Sequence, residues 1–297
     1  EDRPPGFPLL SLTRNASYSA TFDLVTAPFQ NLALTFACGH LLCVLDAQAQ
    51  NLVPNPSFEL IDSCPHYPQV LGYQDGAAPT GWWRWSDTPD YFNACATDTI
   101  SDVPGNLFGY QPALDGQAYS GFWCYWGDED FREMIGAELM SPLIPGVTYY
   151  ASMHVSMAYG RYYNLDLGCD HIGMLFSMDP FLGGPGSSYP LRNYAQVFAP
   201  NIITDTTNWV TISGSFVADS AYHYVILGNH FDVANTDTAS VGTLTTPCSY
   251  YYVDQVCVTT TPSGCDEHIG IDEVATSGFL IWPNPVGSSM VMKGLEN

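Results

Sequence analysis

The sequence predicts an all-β protein, a jelly-roll or sandwich, on three observations. β-Branched, aromatic and apolar runs recur between Gly and Pro clusters, and helical periodicity is nearly absent. Aromatic residues reach 14% and hydrophobic residues 46%, enough for a packed core. Strong acidity often accompanies disorder, but this aromatic content opposes it.

Taken in order, the first element is an apolar run from Leu32 to Leu45. It closes on Ala47-Gln48-Ala49, the small-x-small pattern that a signal peptidase cuts. The run contains His40 and is too short to span a membrane. Residues 31–49 are therefore expected to be a signal peptide and residues 1–30 an upstream segment outside the working protein. The folded part would begin near Gln50 and extend to about residue 262 as one domain.

Asn51-Leu52-Val53-Pro54-Asn55-Pro56-Ser57-Phe58-Glu59 opens that domain. From Cys64 to Tyr110 the chain reads as loop, punctuated by Pro65, Pro68, Pro79, Pro89 and Pro104 and carrying Trp82, Trp83 and Trp85. Phe131–Leu139 resembles a short helix but leads into Pro142 and a Pro145-Gly146 turn, so a strand is expected. Strands are also expected over Thr148–Met157, His171–Ser177, Trp209–Val217, Tyr222–Phe231 and Tyr250–Thr260. After Cys265 the composition shifts, and Ile281-Trp282-Pro283-Asn284-Pro285 followed by Met290-Val291-Met292 looks like the start of a second β-unit.

The balance of 7 Lys+Arg against 30 Asp+Glu gives a net charge of −23. Removing residues 1–49 takes away Arg3, Arg14, Glu1, Asp2, Asp23 and Asp46 and leaves the rest strongly acidic. Such a surface repels phosphate backbones, which excludes nucleic acid, and suits calcium or neutral sugars. Of the 9 Cys, Cys38 and Cys43 would leave with the leader. In an exported protein the others should be largely oxidised, and their odd number leaves one thiol over. Spacing does not decide the connectivity; Cys64 with Cys95 is preferred because both lie in the irregular early loops. No Cys-x-x-Cys, Gly-x-Ser-x-Gly, His-Glu-x-x-His or phosphate-binding Gly loop occurs. His154, His171, His223 and His230 read as single packing or surface residues on strands.

Two stretches resemble known families. The tail, with aromatic-Pro-Asn-Pro and a following strand, resembles the C-terminal sorting domain of proteins exported by the bacterial type IX secretion system. Only its start is present, over residues 263–297. That resemblance implies engagement with the type IX secretion machinery and passage through the outer membrane to the cell surface or beyond. The body resembles the galactose-binding-like jelly roll of carbohydrate-binding modules. It does so through Asn51 and Phe58-Glu59 at its start, Asp115 to Gly121, Leu143 to Tyr149 and Trp209 to Phe216 within, and Tyr252-Val253-Asp254-Gln255-Val256 at its end. The order of these fragments implies neighbouring first and last strands.

With those strands adjacent, Glu59 and Asp254 would face each other. Two close carboxylates repel unless a cation or proton intervenes, so the resemblance implies a structural calcium ion on Glu59 and Asp254, aided by Asp115. Trp82, Trp83, Trp85, Trp123, Tyr125 and Trp126 are the candidates for stacking on a sugar ring, with Asp87, Asp90 and Asn93 supplying hydrogen bonds; the same rings could equally fill the core. Strand alternation would put Trp123 and Tyr125 on one face and Cys124 and Trp126 on the other. The expected function is non-catalytic binding, of glycan, at the cell surface or outside the cell. The alternatives are a structural or adhesive surface protein and, third, a glycoside hydrolase. A binder should present aromatics along a groove, a spacer should bury its Trp residues, and a hydrolase should show a pocket with convergent carboxylates.

Overall fold

The computed structural model describes residues 50–66, 78–181, 188–243 and 246–265, with the backbone alone of Phe279–Leu280 and Lys293–Gly294. The expected signal peptide, the upstream segment and nearly all of the sorting segment lie outside these residues.

The described chain is a jelly-roll β-sandwich of two antiparallel sheets. In order its strands are β1 (Trp82–Ser86), β2 (Asp90–Asn93), β3 (Ala118–Trp126), β4 (Met134–Glu138), β5 (Thr148–Met157) and β6 (Leu167–Cys169). These are followed by β7 (Ile172–Ser177), β8 (Val197–Phe198), β9 (Val210–Val217), β10 (Tyr224–Asn229), β11 (Thr238–Ser240) and β12 (Cys248–Thr259). The first sheet runs β1-β4-β10-β7-β8 and the second β2-β3-β12-β5-β9, while β6 and β11 form a two-stranded ribbon. In the tail, β13 (Phe279–Leu280) pairs with β14 (Lys293–Gly294).

Alternation decides what lies between the sheets. Ala151, Met153, Val155 and Met157 of β5 and Tyr251 and Val253 of β12 meet Ile135, Ala137, Met174, Phe176, Val225 and Leu227 of the first sheet. Each such side chain, fully buried, contributes roughly 1.5–3 kcal/mol of transfer free energy. A second apolar cluster lies on the outer face of the second sheet, where Tyr119, Trp123, Tyr250 and Tyr252 are roofed by Val103 and Phe108 of the loop after β2. A third, with Trp85, Tyr189 and Phe231, covers the outer face of the first sheet.

Two bulges re-aim side chains. In β3, Tyr125 pairs with Ser249 and Trp123 with Tyr250, so Cys124 is the extra residue. Trp123 and Trp126 consequently share the outer cluster, 4.8 Å apart, while Cys124 and Tyr125 turn to the inter-sheet core. This corrects the simple alternation expected above. In β12, Asp254 pairs with His154 and Cys257 with Ser152, leaving an extra residue where Gln255 has φ 48°. Val256 and Val258 thereby face the core in place of Gln255 and Cys257.

The opening segment lies beside β12, as the jelly-roll resemblance implied, but it is no regular strand. Pro54 and Pro56 have no N–H to donate, and Asn55 and Phe58 sit at φ 45° and 62°. Pairing is reduced to Leu52 N–H donating to Val258 O (2.8 Å) and Val256 N–H to Pro56 O (2.9 Å). The Asn51 amide fills in, donating to Val256 O (2.9 Å) and accepting from Val258 N–H (3.0 Å). The region expected to be loop from Cys64 to Tyr110 also holds β1 and β2, whose Trp and Tyr density outweighs the flanking prolines. Phe131–Leu139 does contain a strand, β4. Disulfide bonds join Cys64 to Cys95 and Cys257 to Cys265.

Candidate functional site

The outer face of the second sheet is divided. Its β2-β3 side is roofed; its β5-β9 side is open. On β5 the outward residues are Tyr150, Ser152 and His154, and on β9 Ser215, Ser213 and Thr211 stand directly opposite them. These three rungs floor a groove of about 600 Å3. One wall is Asn51, Pro56 and Ser57 of the opening segment with Asp115 and the bulged Gln255. The other end is closed by Pro262, Gly264 and Cys265, held there by the Cys257–Cys265 disulfide bond and a Cys265 Sγ contact to Tyr150 O (3.8 Å). Hydroxyls, one phenol ring, one imidazole and one carboxylate line it, and no Lys or Arg does. His154 is thus part of a groove rather than the isolated surface residue expected from the sequence.

The three carboxylates expected to hold calcium converge on the turn before β3. Asp254 Oδ2 accepts from the N–H groups of Leu114 (2.9 Å) and Asp115 (3.1 Å), and its Oδ1 from Gln255 N–H (2.7 Å). Glu59 Oε1 accepts from Gln117 and Ala118 N–H, both at 2.8 Å. Burial pushes the Asp254 and Glu59 carboxyls above their usual range, the nearby Asp115 charge adding to both against the opposing amide bonds. Gly116, at φ 65°, lies so close to Glu59 that a Cβ would collide with the carboxylate. Main-chain amides therefore take most of these lone pairs. Among the described residues no group of three or more His, Cys, Asp or Glu is placed to hold a metal ion.

The six candidate aromatics do not form one platform. Trp82 is buried in the inter-sheet core against Phe58 (4.8 Å) and donates its indole N–H to Asn55 O (3.0 Å). Trp85 is fully buried over Gly136, and Trp123 is buried under Phe108. Trp83, Tyr125 and Trp126 are half-buried: Tyr125 packs on the inter-sheet core, Trp126 on the outer cluster of the second sheet, and Trp83 on both the inter-sheet core and the third cluster; Arg132 lies over the Tyr125 ring at 5.2 Å. Of the proposed polar partners, Asn93 is buried, donating to Tyr91 Oη (2.8 Å) and accepting from Cys95 N–H (2.9 Å).

Asp90, half-buried, belongs to an acid pair with the buried Glu133. Tyr250 O–H donates to Asp90 Oδ2 (2.8 Å); Glu133 accepts from Thr88 O–H (2.7 Å) and Trp123 N–H (3.1 Å). Burial pushes Glu133 up to about 8 and holds Asp90 well above the carboxylate range, the Glu133 charge adding to Asp90. Nothing local in the sequence marked this pair. It also gave no notice of Tyr159, Tyr162 and Tyr163, exposed around a 3-10 turn at Arg161–Tyr163, although the Tyr-Gly-Arg-Tyr-Tyr run is a visible signal.

No protein-family model and no curated protein sequence matches the chain. Solved structures similar in fold include a cyclase from Fischerella sp. TAU, at TM-score 0.44 and 13% identity over 72% of this chain and 98% of that one. Another, described as "CBM4 structure and function", aligns at TM-score 0.30 and 14% identity over 70% and 99%. The N-terminal cellulose-binding domain of Cellulomonas fimi β-1,4-glucanase C aligns at TM-score 0.29 and 10% identity over 62% and 91%. At such identities and TM-scores these likenesses carry no argument, and the site must be read from its own residues.

Proposed function

We propose that this protein is an exported, non-catalytic glycan-binding module whose ligand lies in the groove across β5, β9 and β12. The observation that carries the reading is the pairing of Tyr150, Ser152 and His154 with Ser215, Ser213 and Thr211 on an open sheet face. The phenol ring offers a stacking surface, and the hydroxyls, imidazole, Gln255 and Asp115 offer donors and acceptors to sugar hydroxyls. With no cation in the groove, neutral glycans fit its chemistry better than acidic ones. Glycoside hydrolysis by the usual route takes two carboxylates flanking the scissile bond, and the groove lining holds only Asp115. The Asp90–Glu133 pair lies apart from that lining, with Glu133 buried.

A glycan array followed by calorimetric titration tests this. A neutral oligosaccharide should bind, and Tyr150→Ala and His154→Ala should each weaken it about tenfold, the ~1.4 kcal/mol of one lost contact, with the melting temperature kept. Trp83→Ala and Trp126→Ala examine the half-buried aromatics in the same assay. If these two abolish binding and the groove variants do not, the ligand sits elsewhere; if nothing on the array binds, the spacer reading takes over.

A structural calcium ion is a separate proposal, supported by the Asp115 charge, which raises both the Glu59 and the Asp254 carboxyl around one turn. Glu59, Asp254 and Asp115 would hold it together with main-chain carbonyls, and it would supply rigidity rather than chemistry.

A further inference from the structure

Apart from its two disulfide bonds, the described body contains Cys124, Cys169 and Cys248, all buried. Two of them are neighbours. Cys124, the bulged residue of β3, and Cys169, the last residue of β6, are both fully buried in the inter-sheet core. Their thiols lie within hydrogen-bonding reach of each other. Tyr251 fixes the Cys169 side from β12: its Oη accepts from Cys169 N–H (2.8 Å) while its O–H donates to Ile203 O (2.5 Å). Tyr251 is itself paired in register with Phe122 of β3, two residues from Cys124. Arg132, 1% exposed and lying over the Tyr125 ring at 5.2 Å beside Cys124, is a charge neighbour of both thiols, its Nε and Nη2 making no hydrogen bond.

We infer that Cys124 and Cys169 close as a third disulfide bond, a cross-link through the core from β3 to the ribbon strand β6, leaving Cys248 as the unpaired thiol of the body. The oxidant is an external disulfide of the folding compartment. The Cys169 thiolate attacks one of its sulfurs, breaking that S–S bond and expelling a thiolate. Cys124 then loses its proton and attacks Cys169 Sγ, forming the internal S–S bond and expelling the second thiolate. Two electrons pass to the external disulfide, and its two thiolates take up the two protons. Both sulfurs are fully buried in the finished fold, so the reaction belongs to the stage before the sheets close. Once formed, the bond is shielded from reductant.

The test uses the full chain refolded in a glutathione redox buffer until the Cys64–Cys95 and Cys257–Cys265 linkages are complete by peptide mapping. The chain is then denatured without reductant, alkylated and digested. A linked peptide pair containing Cys124 and Cys169, with Cys248 alkylated, is the expected result. Alkylation of both Cys124 and Cys169 overturns the inference, as does pairing of either with Cys248. In Cys169→Ser the linked pair should vanish and Cys124 become alkylatable, whereas Cys248→Ser should keep the link. For a bridge closing roughly 45 residues, Cys169→Ser should melt about 10 °C lower. An equal drop in protein kept reduced throughout refolding would show that the loss is one of packing and not of a bond, and would count against the link.

Discussion

At the scale of single residues, the fold depends on a few contacts with no room to give. Gly136 of β4 lies against the Trp85 ring so closely that an added Cβ would overlap it. Gly136→Ala is expected to destabilise by about 1–3 kcal/mol through overpacking, read from urea unfolding midpoints. The carboxylates around the Leu114–Ala118 turn make a second residue-scale prediction. If calcium reinforces their grip, wild-type protein should melt lower with a chelator present, and Glu59→Ala should lose most of that difference. An unchanged wild-type melting curve, or the same chelator shift in the variant, removes the calcium proposal. In its absence the amide donors alone account for the buried Asp254.

Among the elements, the acid pair joins β2 to the approach of β4 at the sandwich edge. Asp90 and Glu133 are faced by the Tyr250 hydroxyl from β12, the Thr88 hydroxyl, the Trp123 amide of β3 and the Asp87 charge. Glu133 is raised from 4.5 to about 8 in the folded chain. Its stabilising contribution is therefore complete below its unfolded value and is lost as pH climbs through the folded one. His230 works in the opposite sense: burial lowers it from 6.5 to about 4, so its effect is over by pH 6.5. Between pH 6.5 and 8.5 the acid pair should dominate, and unfolding free energy should fall by on the order of a few kcal/mol. Glu133→Gln should flatten that decline. A slope unchanged in the variant would place the titration in another group.

For the whole molecule, the large question is where the working protein starts and where it goes. Cleavage after Ala49 would leave Gln50 at the N-terminus, just ahead of Asn51, whose side chain is tied to Val256 and Val258. N-terminal mass spectrometry of the protein recovered from culture medium or cell surface should find Gln50. A mature N-terminus beyond Asn51 would cut away that clasp and refute the assignment. Among the described residues no helix is long and apolar enough to cross a membrane.

Much of the architecture was written locally. Period-two alternation with Gly and Pro punctuation marked β5, β7, β9, β10 and β12, because a half-buried strand needs apolar residues on one face only. The adjacency of Asn51–Glu59 and β12 was implied by the jelly-roll resemblance, and Cys64 with Cys95 was only the preferred pairing, for their shared place in the irregular early loops; the structure shows both. The faces of individual rings did not. A one-residue bulge at Cys124 exchanges Tyr125 and Trp126 between core and surface, and bulges arise from pairing with a distant strand. The groove, the Asp90–Glu133 pair and the Cys124–Cys169 contact likewise join segments far apart in the chain. Composition and spacing determined that there is a sandwich with a compact core; which side chains the sandwich leaves open to solvent was decided by register and by the loop laid over one half of a sheet.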